Sequence, residues 1–239
     1  IVYSLALLKG WSWNRLIYVS PVSFNHDYRP KSRTSEYLTE TTLLRSFYLS
    51  LNSTTLELAS SLGIKKVTSH AKKLGIQSSI RQELGFALGS SEVSMFDIAR
   101  LYSTFANHGT QTEPFAIKII KDSKKNKIYQ KKPTQKKVLN KNVAFLIKKA
   151  LEKVLSHGTA SSYYQKGFYG KTGTSNNSKD NWFCGFSEDL LTLVWVGSRN
   201  APKRKSKVSA SNTALPIWFN LTQSLRNHIK KKMNLIRSI

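Results

Sequence analysis

The sequence has little cysteine and no metal or membrane signature. Its single cysteine, Cys184, cannot form a disulfide within the chain. Because Cys184 stands between aromatic residues in a predicted strand, a buried and unreactive thiol is favoured. The five histidines show no metal-ligand spacing, so we predict neither a metal site nor a bound cofactor. No apolar run approaches the roughly 18 residues that span a bilayer, and no signal peptide is visible.

Acidic residues are also scarce, with 13 against 38 basic residues and a net charge of +25. Such an excess suggests nucleic-acid binding. However, the basic residues are scattered and most are lysine, the less specific reader of phosphate. No helix-turn-helix, zinc knuckle or RNA-binding aromatic signature is present. We therefore predict no nucleic-acid partner, and the charge favours an anionic membrane surface or an acidic cell-wall polymer.

Local patterns predict helices along most of the chain and strands in its last third, which indicates an α+β fold. Helices are predicted at 1–9, from Thr42, at 53–61 and 65–74, after a capping box at 94–97, from Asn140 to Gly158 and at 214–225, the last with Trp218 and Leu221 inward. Strands are predicted at 115–120, before a charged hairpin at 121–127, and at 168–174, 181–187 and 190–197. Residues 20–35 are predicted to form an extended loop.

The most specific stretch runs from Gly170 to Phe186. It contains Lys171-Thr172-Gly173-Thr174, then an Asn-rich turn, then Trp182-Phe183-Cys184-Gly185. This string resembles the third motif of the penicillin-recognising acyl-serine transpeptidases.

The resemblance implies a role for each residue of the 171–174 run. A strand edge would accept a peptide substrate as an added strand, with Gly173 allowing its backbone to come close. Lys171 would place a cation beside the substrate carboxylate, and Thr172 and Thr174 would supply hydroxyls for it. The Thr174 N–H would be one half of an oxyanion hole.

A second candidate motif, Ser50-Leu51-Asn52, falls between two predicted helices, where the family's Ser-x-Asn motif belongs. The Ser50 hydroxyl would relay a proton to the leaving amine. The Asn52 side chain would hold the substrate and a catalytic lysine. The alternative is an ordinary helix cap.

The family's first motif is Ser-x-x-Lys, with the serine as nucleophile. One serine of this sequence has a lysine three residues later, in Ser69-His70-Ala71-Lys72. It follows Ser50 instead of preceding it and lies on a predicted surface helix, so we interpret it as a coincidence. The apolar helix at 1–8 is expected to continue the nucleophile helix, with Ser-x-x-Lys just ahead of Ile1.

With these motifs placed, the chain resembles the transpeptidase domain of class A, bifunctional penicillin-binding proteins, of the 1B type. Further matching stretches are 87–94, 105–109, the Gly-Thr-Ala turn at 157–160, 195–197 and 214–218. The resemblance covers residues 1–226 as a partial transpeptidase domain and leaves a basic tail at 227–239. It implies the β-lactamase-like fold, an antiparallel sheet flanked by helices, here without its N-terminal strands.

The resemblance also implies the activity and the partners. A serine would be acylated by a D-Ala-D-Ala stem peptide, D-Ala would leave, and a neighbouring stem amine would take the acyl group to cross-link peptidoglycan. β-Lactams would acylate the same serine, and the parent protein would use a lipid-linked precursor through a glycosyltransferase domain. A membrane anchor outside this sequence would place the catalytic domain in the periplasm, at the bacterial inner membrane.

The sequence departs from the family because the nucleophile, its lysine and the preceding strands are not among its residues. We therefore expect the isolated chain to be inactive and destabilised by an unpaired sheet edge. Three alternatives remain open: a class B or D,D-carboxypeptidase relative, a non-catalytic remnant, and a cell-wall-binding module.

Overall fold

The fold was determined as a computed structural model that describes residues 1–18, 40–175, 178–198 and 208–237, with side chains described up to residue 229. The α-helices in these ranges are α1 (Val2–Leu8), α2 (Leu43–Leu49), α3 (Asn52–Leu62), α4 (Ile64–Lys73), α5 (Met95–Ala106), α6 (Lys141–His157) and α7 (Ala214–Arg237). The strands are β1 (Leu16–Tyr18), β2 (Glu40–Thr42), β3 (Thr110–Thr112), β4 (Ile119–Lys121), β5 (Lys127–Gln130), β6 (Gln135–Lys137), β7 (Tyr169–Thr174), β8 (Asp180–Phe186) and β9 (Leu191–Gly197).

Local capping explains where the longer helices begin. Ser94 accepts a hydrogen bond from the Asp97 N–H, and the Asp97 carboxylate accepts one from the Ser94 N–H, so the predicted capping box of α5 is confirmed. The Asn140 side chain accepts from the Asn142 N–H at 2.8 Å and starts α6. Each cap satisfies N–H groups that have no partner inside the helix.

The central sheet is an antiparallel meander in the order β7-β8-β9. Its register pairs Lys171 with Cys184 and Gly173 with Trp182. Tyr169 and Phe186 stack on one face within the larger core, which α1 to α6 build. Phe183 packs on the other face against Trp218 of α7. Burial on both faces confirms the predicted antiparallel sheet flanked by helices.

Shorter sheets surround this centre. β1 pairs with β2, β3 with β6, and β4 with β5, all antiparallel. The prediction placed a strand at 115–120, whereas the structure has one only at 119–121. The predicted hairpin is present, but its second strand runs from Lys127 to Gln130 and 122–126 form the turn. The predicted loop at 20–35 lies outside the described residues.

One prediction about the last helix is wrong. Trp218 is fully buried as expected, but Leu221 is 43% exposed. Thr222, one position further on, is buried instead, because the face of α7 that meets the sheet is rotated from the one assumed. The helix also continues to Arg237, beyond its expected end at Leu225. None of the helices in the described ranges is both long and apolar enough to cross a bilayer.

Candidate active site

The α2–α3 junction presents Ser50 in an uncommon conformation. Ser50 is the C-cap of α2 and adopts φ 58° and ψ 49°, in the left-handed region. A non-glycine residue held there costs about 1 kcal/mol or more. Leu51 follows in an extended conformation and Asn52 begins α3. The strained turn exposes the Ser50 hydroxyl at the end of α2.

Lys171 of β7 reaches this hydroxyl, and we call the surface between the end of α2 and β7 the Ser50–Lys171 cleft. Lys171 Nζ donates to Ser50 Oγ at 2.8 Å, although the two residues are 121 positions apart. The ammonium also donates to the Thr172 carbonyl at 3.3 Å. A cation in this position lowers the energy of a negative charge on a bound ligand or on the hydroxyl oxygen.

A turn after α6 holds the two walls of the cleft together. The Thr159 N–H donates to the Tyr48 carbonyl of α2 at 3.4 Å, and the Thr159 hydroxyl lies 2.7 Å from that of Thr172 on β7. Gly158 is required here because a Cβ at this position would lie 2.2 Å from the Tyr48 oxygen. The turn therefore fixes the end of α2, and with it Ser50, relative to β7.

A second set of hydrogen bonds holds the C-terminal end of β7 in place. The Ala210 N–H donates to the Thr174 hydroxyl oxygen at 3.0 Å, and the Ser211 hydroxyl donates to the Thr159 carbonyl at 2.9 Å. Because Thr174 only accepts in this contact, its own hydroxyl hydrogen remains available to a ligand. The Thr172–Thr159 pair uses one hydroxyl hydrogen for its mutual bond and also retains one donor.

The outer edge of β7 is open in the described part of the chain. β7 has β8 as its neighbour on one side, and Lys171 to Thr174 are half-buried or exposed. Residues 171 and 173 share one face of the strand, so a Cβ at Gly173 would point toward the side where Lys171 meets Ser50. The nearest atom to such a Cβ would be Trp182 Cβ at an ordinary 3.5 Å. Internal packing therefore does not demand a glycine at 173.

The structure brings most of the predicted site residues together. Ser50 and Lys171 are in direct contact, Asn52 lies two residues beyond Ser50, and Thr172, Gly173 and Thr174 continue the same strand. The Asn52 side chain forms no hydrogen bond with another described residue, which leaves its amide free to bind a ligand. The roles of these six residues stay a prediction.

Two other predictions concern residues near the motifs. Ser69 and Lys72 are exposed on α4, so the structure agrees that this pair lies on a surface helix. Cys184, opposite Lys171 on β8, is buried, and burial raises the pKa of its thiol to about 12. The thiol is therefore neutral and unreactive, as predicted.

Sequence reasoning missed the residues that support the cleft. Thr159 belongs to the Gly-Thr-Ala turn that resembles the family, but its sequence predicts no role for it. Ala210 and Ser211 belong to none of the motifs. Their only sequence signal is the polar run Ser209-Ala210-Ser211-Asn212-Thr213, which is typical of a loop and does not indicate contact with β7.

Comparison with known proteins identifies a matching family. Residues 2–217 match the model of the penicillin binding protein transpeptidase domain. Penicillin-binding protein 1A of Aquifex aeolicus is 32% identical over 227 residues, which are 92% of this chain and 31% of that protein. The chain spans about a third of the length of the curated relatives it matches.

Solved structures share the fold. Penicillin-binding protein 1A from Haemophilus influenzae superposes with a TM-score of 0.84 at 22% identity, over 94% of this chain and 41% of that one. The PonA1 protein of Mycobacterium tuberculosis in complex with penicillin V gives 0.80 at 21% identity, over 94% and 67%. The class A resemblance is thus confirmed, and these relatives carry the name 1A where the sequence suggested 1B.

Proposed function

The chain belongs to the penicillin-binding protein transpeptidase family, and we propose that its Ser50–Lys171 cleft binds stem peptides for D,D-transpeptidation of peptidoglycan. The observation that carries this proposal is the 2.8 Å contact between Lys171 Nζ and Ser50 Oγ. It joins the two stretches that resemble the family's second and third motifs, beside an open strand edge.

The stem peptide ends in a carboxylate, and the cleft offers donors of the matching kind. Lys171 supplies a positive charge, and the same strand carries the Thr174 hydroxyl and the Thr172–Thr159 hydroxyl pair, each with one hydrogen to donate. A charge-assisted hydrogen bond contributes about 1.5–3 kcal/mol, roughly twice a neutral one. The peptide backbone would pair with the outer edge of β7 as an added strand.

In the proposed reaction, a serine oxygen attacks the carbonyl carbon of the penultimate D-Ala, and the C–N bond to the terminal D-Ala breaks. The serine hydroxyl loses its proton in this attack, and the Ser50 hydroxyl relays that proton to the departing amine while Lys171 stabilises the Ser50 oxygen. The amine of a second stem peptide then attacks the ester, forms the new amide and gives up a proton, which returns to the serine oxygen as the C–O bond breaks. In this family the attacking serine belongs to a Ser-x-x-Lys motif, and the exposed Ser69 is not assigned that role.

Asn52 and Thr174 complete the proposed division of roles. The Asn52 amide would bind the acyl chain of the substrate and hold a catalytic lysine. The Thr174 N–H, at the end of β7, would donate to the oxyanion that forms on the attacked carbonyl. β-Lactams would acylate the same serine, because a neighbour of this fold is known in complex with penicillin V.

For the whole protein we propose an additional peptidoglycan glycosyltransferase activity on a lipid-linked precursor. We also propose a membrane anchor that places this domain in the periplasm at the bacterial inner membrane. The support is that relatives named penicillin-binding protein 1A are about three times as long as this chain.

The proposal is tested by binding of diacetyl-Lys-D-Ala-D-Ala to the chain, compared with the same peptide carrying a C-terminal amide. We expect the acid to bind and the amide to bind at least about tenfold more weakly, because the amide lacks the charge that Lys171 recognises. Lys171→Met should abolish this difference, whereas the exposed Lys166→Met is the matched control and should preserve it. Equal binding of acid and amide by the unmodified chain would refute the proposal.

A further inference from the structure

The β4–β5 hairpin projects from the body of the protein. β4 and β5 pair with each other and with no other strand in the described ranges. All seven of their residues are exposed. The ribbon therefore presents both of its faces to solvent, which is unusual for a segment that contains several large apolar residues.

Large apolar side chains lie on both faces of this hairpin. Ile120 stands opposite Tyr129 in the register, and Ile119 stands opposite Gln130. Ile117 is 55% exposed and Ile128 is 67% exposed, while Ile119, Ile120 and Tyr129 are also exposed. Five exposed apolar side chains within 13 positions concentrate apolar area on this segment, and exposed apolar area of this kind marks an interaction site.

The same segment carries a dense positive charge. Residues 118–137 contain nine lysines and one acidic residue, Asp122. None of these lysines forms an ion pair in the part of the chain that the structure describes. The Asp122 carboxylate is engaged in the turn, where it accepts from the Asn126 N–H at 2.8 Å and from Asn126 Nδ2 at 2.9 Å. These hydrogen bonds lower the pKa of Asp122, so the segment has a net charge of about +8.

We propose that the β4–β5 hairpin docks onto an anionic phospholipid surface. The lysines match the headgroup charge, and the exposed isoleucines gain free energy by entering the boundary between headgroups and acyl chains. A nucleic acid or an acidic cell-wall polymer would satisfy the lysines but would leave the isoleucines in water. The absence of arginine from 118–137 also disfavours specific phosphate recognition.

The first test is sedimentation of the full chain with vesicles of phosphatidylcholine containing 30% phosphatidylglycerol, against pure phosphatidylcholine. The test variant changes four hairpin lysines to glutamine: Lys121, Lys124, Lys125 and Lys127. The matched control changes four exposed lysines of α4 to glutamine: Lys65, Lys66, Lys72 and Lys73. Both variants lower the net charge by the same amount, so a difference in vesicle binding between them shows that the position of the lysines matters.

We expect the chain to bind the anionic vesicles and not the neutral ones. Each lysine near an anionic bilayer contributes about a fivefold gain in partitioning. The hairpin variant, which lacks four of these lysines, should therefore lose roughly 600-fold in affinity, while the α4 variant keeps most of its affinity. Equal losses in the two variants would overturn the proposal, because binding would then depend on net charge alone.

A second measurement separates lipid from other polyanions. Ser123→Cys carries an NBD fluorophore at the hairpin turn, and the buried Cys184, whose thiol pKa is raised to about 12, should remain unlabelled. We expect the emission to shift to the blue on anionic vesicles and to stay unchanged with polyglutamate or duplex DNA. The exposed Ser69→Cys label on α4 is the control and should not shift. Binding to vesicles without a shift at position 123 would also overturn the proposal.

Discussion

Gly173→Ala tests the idea that the glycine of β7 serves a ligand and not the fold. A methyl group at this position would find only Trp182 Cβ nearby, at 3.5 Å, so the folded chain accommodates it. Alanine is better than glycine in a strand by about 0.5–1 kcal/mol. We therefore expect the free energy of unfolding to stay unchanged or to rise by up to about 1 kcal/mol, measured by urea denaturation.

Peptide binding should respond in the opposite direction. The new methyl group projects into the space where a substrate backbone would approach, and overpacking of this kind costs about 1–3 kcal/mol. The affinity for diacetyl-Lys-D-Ala-D-Ala should fall by roughly 5-fold to 150-fold at unchanged stability. If the variant binds the peptide as well as the unmodified chain does, no substrate backbone comes close to residue 173, and Gly173 has no role in binding.

Gly170→Ala is the matched control on the same strand. Here an added Cβ would lie 2.6 Å from the Phe183 ring and 3.0 Å from the Cys184 carbonyl oxygen. These atoms are buried and cannot move away freely, so we expect a loss of about 1–3 kcal/mol in stability. The two variants thus separate a glycine that the fold requires from one that the proposed ligand requires.

Further predictions concern the buried His70, the buried Cys184 and covalent labelling by penicillin. Desolvation and, after it, nearby positive charge lower the pKa of His70 to about 4, below its unfolded value of about 6.5. The free energy of unfolding should therefore fall, by at most about 1.4 kcal/mol per pH unit, as the pH drops from 6.5 to 4. Urea denaturation of His70→Gln should show a smaller fall over this pH range. An equal fall in the variant would exclude His70 as its source. Ellman's reagent should leave Cys184 unmodified at pH 8 until urea unfolds the chain, because its thiol pKa is about 12; rapid reaction of the folded chain would contradict this. Fluorescent penicillin should not label the 239-residue chain covalently, because its one Ser-x-x-Lys serine, Ser69, is exposed on α4; a stable adduct would show that another serine is the nucleophile.

Sequence reasoning succeeded where the signal is local or belongs to a motif. The Ser94–Asp97 capping box depends on residues three positions apart, so its sequence pattern and its geometry coincide. The same holds for the start of α6 at Asn140. The contact between Ser50 and Lys171 was accessible only because two family motifs were placed together, since nothing local links residues so distant in sequence.

Tertiary contacts explain what sequence reasoning missed. The contact of Thr159 with the Tyr48 carbonyl depends on how α6 and α2 pack, and helical periodicity does not report that packing. Leu221 was misplaced because periodicity finds an apolar face of α7 without showing which part of it meets a neighbour. The strand at 127–130 was missed because lysines and polar residues obscure its alternation, and it faces water on both sides.

The most direct test of the Ser50–Lys171 cleft is a titration of the ¹⁵N-labelled chain with diacetyl-Lys-D-Ala-D-Ala, followed by amide chemical shifts. We expect the largest shifts at residues 50–52 and 171–174, with the Thr174 amide among them, and their loss in Lys171→Met. Shifts centred on the β9 edge or on α4, with 171–174 unmoved, would contradict this expectation.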